Sequence, residues 1–332
     1  MSKILTIVIP TYNMEKYLHG CLNSLILRDE LMDLLEIIII NDGSRDSSSQ
    51  IAHEYEKKYP HTFLVIDKEN GNYGSCVNVG LEKSKGKYFR ILDADDWFNN
   101  EQFGVFLNTL KDINADVIIT NYTLHRQGKQ PKTIAIEELF PQKTYEINKC
   151  DFSSKRFREM LVMHSMTYKR DLLFSISYKQ QEGISYTDIE YCYFPFSKAR
   201  NMIRLNIDLY QYRIGREGQT MQSGNMVKNI DHFYMVANRI LEDYLENTEA
   251  LHDRQTALIY IMSNPIYQIY LINLILMRKT QAHHWEVMLK TERMVKHSKD
   301  LYNFVCSYTY KKIPFVRIWH KLGVRFAFLF GE

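Results

Sequence analysis

The 332 residues, 45% hydrophobic and 24% charged, suffice for one large domain with an accessory or for two modest domains. A net charge of +3 is too small to mark a nucleic-acid binder. Five scattered cysteines, Cys21, Cys76, Cys150, Cys192 and Cys306, show no C-x-x-C spacing. They indicate neither a zinc site nor a disulfide framework, and a reducing cytosol suits them.

The first hundred residues alternate strand and helix signals. An apolar, β-branched run at 5–9, stopped by Pro10, predicts a buried strand. Residues 15–27 have helical spacing through Tyr17, Leu18, Cys21, Leu22 and Leu25. Residues 36–40 predict a second buried strand that ends at Asn41-Asp42-Gly43-Ser44, and Asp46 or Ser47 caps a helix through Tyr55. A third strand is predicted at 63–66, a helix at 75–83, and a fourth strand at 88–92 that runs into Asp93. Residues 101–150 predict a helix, a strand at 116–120 and an irregular basic segment, and 151–222 carry more turns and strands. From Met226 onward the pattern is helical, so the chain divides into a domain at 1–222 and a helical subdomain at 223–332.

Two stretches bear on membranes. The apolar run at 4–10 is too short for a secretory signal. Between Arg254 and Arg278 there is no charged residue, and 259–277 is long enough for a span. Ser263, Asn264, Pro265, Gln268 and Asn273 interrupt it, and Pro265 should break the ladder in lipid, so it reads as a buried or interfacial helix.

Apolar strands that need cover on both faces, with helices between them, imply a mainly parallel, doubly wound α/β sheet. Such sheets bind ligands at the carboxyl ends of their strands. The polar turns at 10–13, 41–44 and 93–96 all fall at such ends. Dinucleotide and ATP sites need glycines after the first strand to cradle phosphates, but here Pro10-Thr11-Tyr12-Asn13 follows it. Gly80 to Lys87 is only superficially like a P-loop, because Tyr88 stands where Ser or Thr should hold magnesium. A nucleotide held without a glycine-rich loop needs another source of positive charge, and a carboxylate-bound divalent cation is one. Asp93-Ala94-Asp95-Asp96 fits that need, since three neighbouring carboxylates repel one another unless a cation is present, and hard oxygens suit Mg²⁺ or Mn²⁺. The plainer reading is a solvated acidic turn or helix cap.

Five ordered segments now stand out: Val8 to Asn13, Ile38 to Asp46, Asn70-Gly71 through Asn78 to Leu81, Ser84 to Tyr88, and Leu92 to Asp96. Together they resemble the family 2 glycosyltransferases of bacterial surface-polysaccharide synthesis, which adopt the GT-A fold. The resemblance is strong over residues 4–100 and weaker to 222. It implies that 1–100 bind a nucleotide-sugar, 101–222 serve the acceptor, and the enzyme is of the hexosyl-transferring class. Pro10, Thr11, Tyr12 and Asn13 would bind the nucleotide-sugar, Thr11 and Tyr12 lining the base pocket, with Asp42 accepting a hydrogen bond from the base, most often uracil. Asn70, Gly71, Gly74 and Asn78 would border the nucleotide, although the two glycines are equally explained by turn chemistry. Asp93 and Asp95, flanking Ala94, would bind the metal, Mn²⁺ or Mg²⁺, that bridges the diphosphate.

In the second half, Glu182 to Asp188 resembles the segment whose final Asp is the catalytic base. Thr187 replaces the usual Glu, Asp188 is retained, and Glu190 lies two residues on. The resemblance makes Asp188 the base of an inverting displacement. Arg213 and Arg216 stand where cations could reach the diphosphate, and His164 precedes the base segment at a distance suited to the acceptor pocket; solvated arginines and a structural histidine are the plainer readings. A basic, aromatic tail at 311–330 suits an anionic membrane surface at the inner face of the cell membrane, or packing on the subdomain or a second subunit. The acceptor would be a glycan or a lipid-linked glycan, with no role for nucleic acid. A sugar nucleotidyltransferase and a non-catalytic scaffold of the same fold are the rival readings.

Overall fold

The protein is described here from a computed structural model covering residues 2–326, apart from 136, 138, 217, 278 and 280. The chain forms two compact units, 1–184 with 194–216, and 185–193 with 217–332.

The first unit is built on a ten-stranded sheet. Its strands are β1 (Leu5–Thr11), β2 (Leu35–Asn41), β3 (Phe63–Asp67), β4 (Tyr88–Ile91), β5 (Trp97–Phe98), β6 (Val117–Arg126), β7 (Lys132–Ile134), β8 (Thr144–Glu146), β9 (Met166–Lys169) and β10 (Asn201–Ile214). The order is β3-β2-β1-β4-β9-β6-β10-β5, with β7 on β6 and β8 on β10. β3, β2, β1 and β4 run parallel, and every residue of β2 is buried, as a strand covered on both faces requires. Helices Glu15–Asn23, Ser48–Lys58 and Asn72–Lys83 connect these four strands in the alternating pattern expected.

Beyond β4 the sheet is mixed. β9 is antiparallel to both β4 and β6, while β10 is parallel to β6. Two reversals restore the direction, so β6 and β10 end on the same edge as β1, β2 and β4. The segment that precedes β9 reaches that edge as well. One rim therefore collects the turns after β1, β2, β4 and β10 and the loop before β9.

The helix predicted at 75–83 begins one turn earlier, at Asn72, so Gly71 is its N-cap and Gly74 lies in its first turns. Neither glycine has positive φ, so neither supplies a left-handed turn. A Cβ on Gly74 would stand 2.0 Å from the Gln181 carbonyl oxygen, so this glycine allows the helix to pack directly on a loop backbone. The five cysteines are all free thiols.

The second unit is helical. Its helices include Ile230–Glu246, Gln255–Leu271, Ala282–Val295, Lys299–Cys306 and Phe315–Leu322, around Phe233, Ile240, Leu258, Ile266, Met288 and Leu301. The apolar segment at 252–276 is long enough to cross a membrane, and most of it is buried within the unit. Pro265 sits inside helix Gln255–Leu271 rather than breaking it. The basic tail packs on the same unit. Phe315 and Val316 are buried, Trp319 meets Tyr270 and Trp285 edge-on, and Arg325 Nε donates to the Asn273 carbonyl at 2.9 Å. Leu322 remains 70% exposed, while Phe328, Leu329 and Phe330 lie outside the described residues.

Candidate active site

At the ends of β1 and β2 the rim is tied together by short polar contacts. Pro10 and Thr11 pair with Ile40 and Asn41 in the β1–β2 ladder. Thr11 is buried, its hydroxyl donating to the Ile9 carbonyl at 3.1 Å, and its own carbonyl accepts from Asp42 N at 2.8 Å. Tyr12 stands out 43% exposed. Asn13, at φ 54°, accepts from Arg45 N at 2.8 Å and donates its own N–H to Ser44 Oγ at 3.0 Å. The first two turns are thereby clasped to each other.

Asp42 is the centre of this corner. Buried at the tip of β2, its Oδ1 accepts from Lys68 Nζ at 2.6 Å and from Gly71 N at 2.9 Å. Asn70 Nδ2 donates to the Asp42 carbonyl at 2.9 Å, and Lys68 also reaches Ser75 Oγ at 3.0 Å. Lys68 escaped the sequence reading, although its place just past the carboxyl end of β3 was a usable signal. Asn78 faces the 180–182 loop. Its amide donates to the Gln180 carbonyl (3.0 Å) and Glu182 Oε1 (2.9 Å), and its oxygen accepts from Gln180 N (2.8 Å).

The acidic turn after β4 lies on the same edge. Asp93 Oδ1 accepts from Tyr73 OH at 2.8 Å. Ala94 is buried. Asp95 is 9% exposed, and its Oδ2 forms an ion pair with Arg216 Nε. Asp96 is almost fully buried, with Oδ2 accepting from Tyr210 OH at 2.7 Å and Oδ1 from Arg213 N at 2.7 Å. Burial, with the charges of Asp95 and Asp93 beside it, holds the Asp96 carboxyl far above its ordinary range. Arg213 Nε donates to the Asp95 carbonyl at 3.1 Å, and its guanidinium lies over Trp97 and Tyr17, 4.9 and 5.2 Å from the ring centres.

His164 reaches this cluster from the loop before β9. It is stacked on Tyr212 (4.2 Å between ring centres) and on Tyr122 (5.7 Å), with Tyr210 edge-on at 4.8 Å. Burial, with Arg90 nearby, lowers its pKa to about 3, so the imidazole is neutral at physiological pH. Ligand atoms of Asp93, Asp96 and His164 lie within 4.8 Å of one another. Behind them Arg90, fully buried on β4, donates to Thr167 Oγ1 at 2.7 Å and to the His164 carbonyl. Three neighbouring carboxylates in a part-buried turn, two of whose charges help raise the Asp96 pKa, are a donor set that a hard divalent cation relieves, so the residues present fit such an ion.

Asp188 belongs to the second unit, where it opens helix Asp188–Lys198. Burial pushes its carboxyl up to about 6, against the N–H groups of Asp188 and Ile189, which stabilise the charge. Among the described residues no lysine or arginine pairs with it. Glu190 is different, fully buried and paired with Arg239 Nη1 at 2.9 Å. Just before Asp188, Tyr186 adopts φ 69°, stacks on Phe233 at 3.8 Å and donates its hydroxyl to the Thr220 carbonyl at 3.0 Å.

Residues 6–173 match the sequence profile of Glycosyl transferase family 2. The chain belongs to that family. It is a glycosyltransferase, which removes both the nucleotidyltransferase and the scaffold readings. Among its family 2 relatives, the putative glycosyltransferase EpsH of Bacillus subtilis is 28% identical over 260 residues, 72% of this chain and 71% of EpsH. The fold is shared with S. aureus TarS 1–349 in complex with UDP-GlcNAc, at a TM-score of 0.67 and 19% identity over 90% of this chain and 82% of TarS 1–349. It is shared more loosely with the mannosyltransferase PcManGT of Pyrobaculum calidifontis in complex with GDP-Man and Mn²⁺, at a TM-score of 0.51 and 12% identity over 92% and 83% of the chains. The α/β sheet with a helical C-terminal region is thus the GT-A arrangement.

Proposed function

We propose that this glycosyltransferase moves a hexose from a UDP-sugar to a hydroxyl of a glycan or lipid-linked glycan, with inversion, in cell-surface polysaccharide synthesis. The observation that carries the donor half is the turn after β4, where Asp93 and Asp95 share one rim with Arg213 and Arg216. Asp93 and Asp95 would hold Mn²⁺ or Mg²⁺. Bound there, the ion supplies positive charge against the departing diphosphate. Arg213 and Arg216 supply the protein's own share of that charge. Tyr12 offers the base an exposed ring, and the Asp42 corner holds the turn that faces it. His164, neutral and wedged between tyrosines, borders the acceptor side as an uncharged surface. The nucleotide-sugar complexes of TarS and PcManGT support the donor class, and PcManGT supports the metal.

Asp188 is the general base. A carboxyl with a pKa of about 6 is ionised at neutral pH yet remains a useful proton acceptor, which is the balance that base catalysis needs. It takes the proton of the acceptor hydroxyl as that oxygen attacks the anomeric carbon from the face opposite the diphosphate. Hydrolysis of a panel of UDP-sugars with Mn²⁺ identifies the donor, since a transferase slowly leaks its own sugar to water. Asp188→Asn should lower turnover about 10²–10⁴-fold with UDP affinity retained. Turnover near that of the wild type removes Asp188 from the reaction.

A further inference from the structure

Asp95 already has a cation on it. Its Oδ2 is held by Arg216 Nε in a pair whose side chains are only 15% and 11% exposed. With Asp93 and Asp96 beside it, a carboxylate this buried needs that positive charge. That pairing opposes a divalent ion, because a guanidinium on the carboxylate repels a second cation and already uses the negative charge the ion would bind. Arg216 and the ion therefore compete for the charge of Asp95, and the metal-assisted reading is best met if Arg216 yields it.

The two arginines differ in the backbone that carries them, although both guanidiniums lie over the Tyr17 ring, at 5.2 Å for Arg213 and 5.5 Å for Arg216. Arg213 is part of β10, paired in register with His125 of β6, and its backbone N–H and guanidinium are bound to Asp96 and to the Asp95 carbonyl. Arg216 lies past the end of β10 at Ile214. It follows Gly215, at φ +93°, where an added Cβ would meet nothing within 4 Å, and it precedes Gly218, at φ +77°. Glycines in left-handed conformations on both sides give this short segment access to backbone rotations that a strand residue lacks. A guanidinium is also matched to phosphate oxygens by its planar fork of donors.

We propose that Arg216 is an exchangeable counter-ion. In the donor-free protein it stands in for the metal on Asp95; when UDP-sugar and a divalent ion arrive, it yields Asp95 to the ion and transfers to the diphosphate. This rests on the metal-assisted reading above. Each charge keeps a partner throughout, so no state leaves a buried carboxylate bare. Competition at Asp95 makes the ion bind the free protein weakly, and the diphosphate, by drawing Arg216 away, makes it bind tightly. Linkage requires the reverse as well, with the ion strengthening diphosphate binding by the same factor.

The test is Mn²⁺ binding, followed by electron paramagnetic resonance and calorimetry, with and without UDP. Arg216→Gln should tighten Mn²⁺ binding to the donor-free protein roughly tenfold and weaken UDP binding at saturating Mn²⁺ by a similar factor, within the usual range of coupling between sites. The synergy between the two ligands should largely vanish. Arg216→Lys, which keeps the charge without the fork, should hold donor-free Mn²⁺ affinity near wild type and lose UDP affinity. Donor-free Mn²⁺ affinity that is unchanged or weaker in Arg216→Gln overturns the exchange. If instead UDP promotes no Mn²⁺ binding in the wild type, or Asp95→Asn binds it equally well, the metal-assisted reading itself fails. Should Arg216→Gln not fold, hydrogen exchange on the wild type decides. Amides at 215–219 must change protection when UDP and Mn²⁺ are added together, and no change there overturns the proposal.

Discussion

Two corners of the rim solve one electrostatic problem with different materials. At the tip of β2, Asp42 is matched by Lys68, whose ammonium is also held by the Glu69 carbonyl (2.6 Å) and Ser75 Oγ (3.0 Å). After β4, Asp95 is matched by Arg216, which lies on a segment flanked by glycines with positive φ. The first cation is woven into the loop that opens helix Asn72–Lys83, so its pair with Asp42 is part of the scaffold. The second sits on Asp95 and over the Tyr17 ring, but is carried by that glycine-flanked segment beyond the end of β10. On the proposed function, one buried ion pair belongs to the scaffold and the other to a ligand position, and the distinction lies in the backbone that carries the cation. Asp188, in the helical unit, is a third case, since among the described residues no lysine or arginine pairs with it and its pKa rises to about 6 instead.

Replacing each rim aspartate with alanine tests the contrast most severely. Asp95→Ala should lose about a hundredfold or more in Mn²⁺-dependent UDP binding, measured by calorimetry, because the proposed metal ligand is gone. Its fold should lose less, since removing Asp95 relieves the repulsion that helps raise the Asp96 pKa, and the Arg216 it leaves unpaired is carried by a glycine-flanked segment that can turn to solvent. Asp42→Ala should do the opposite. It leaves Lys68, 21% exposed, without its carboxylate and strips the Gly71 N–H of its acceptor, a loss of about 2–3 kcal/mol in urea denaturation. Equal stability losses in the two variants would erase the difference between the corners.

The parts of this arrangement that the sequence discloses are local. β1, β2 and β3 emerge from apolar runs and begin within a residue of the expected positions; β1 and β2 are buried on both faces, which leaves little room for polar residues, and β3 is the half-buried edge strand. The turns that carry Asp42 and Asp93 to Asp96 follow directly from those strand ends. What pairs with those aspartates is set by topology. Tyr73 is 20 residues from Asp93, and Tyr210 is 114 residues from Asp96. β9 is four residues long and carries no clear strand pattern, yet its antiparallel insertion is what brings His164 to the rim. The left-handed Tyr186 before Asp188 is equally hidden, because its conformation depends on a stacking partner, Phe233, far along the chain.

Asp188 provides the smallest and most specific check on the comparison, because a carboxylate without a counter-ion should carry a cost that varies with pH. In the folded chain it keeps its proton up to about 6, above its ordinary value of 3.8. Between those values the folded state binds more protons than the unfolded state, so stability falls as pH rises, and the cost is complete above pH 6. A rise of about two pH units sets a ceiling of about 3 kcal/mol, and the partial exposure of the side chain brings the expected cost to about 1–2 kcal/mol. Asp188→Asn should therefore stabilise the protein by that amount in urea denaturation at pH 8 and hardly at all at pH 4, while it abolishes most turnover. A gain of equal size at both pH values would trace the effect to packing, and Asp188 would then be no more strained by its charge than the paired aspartates of the rim.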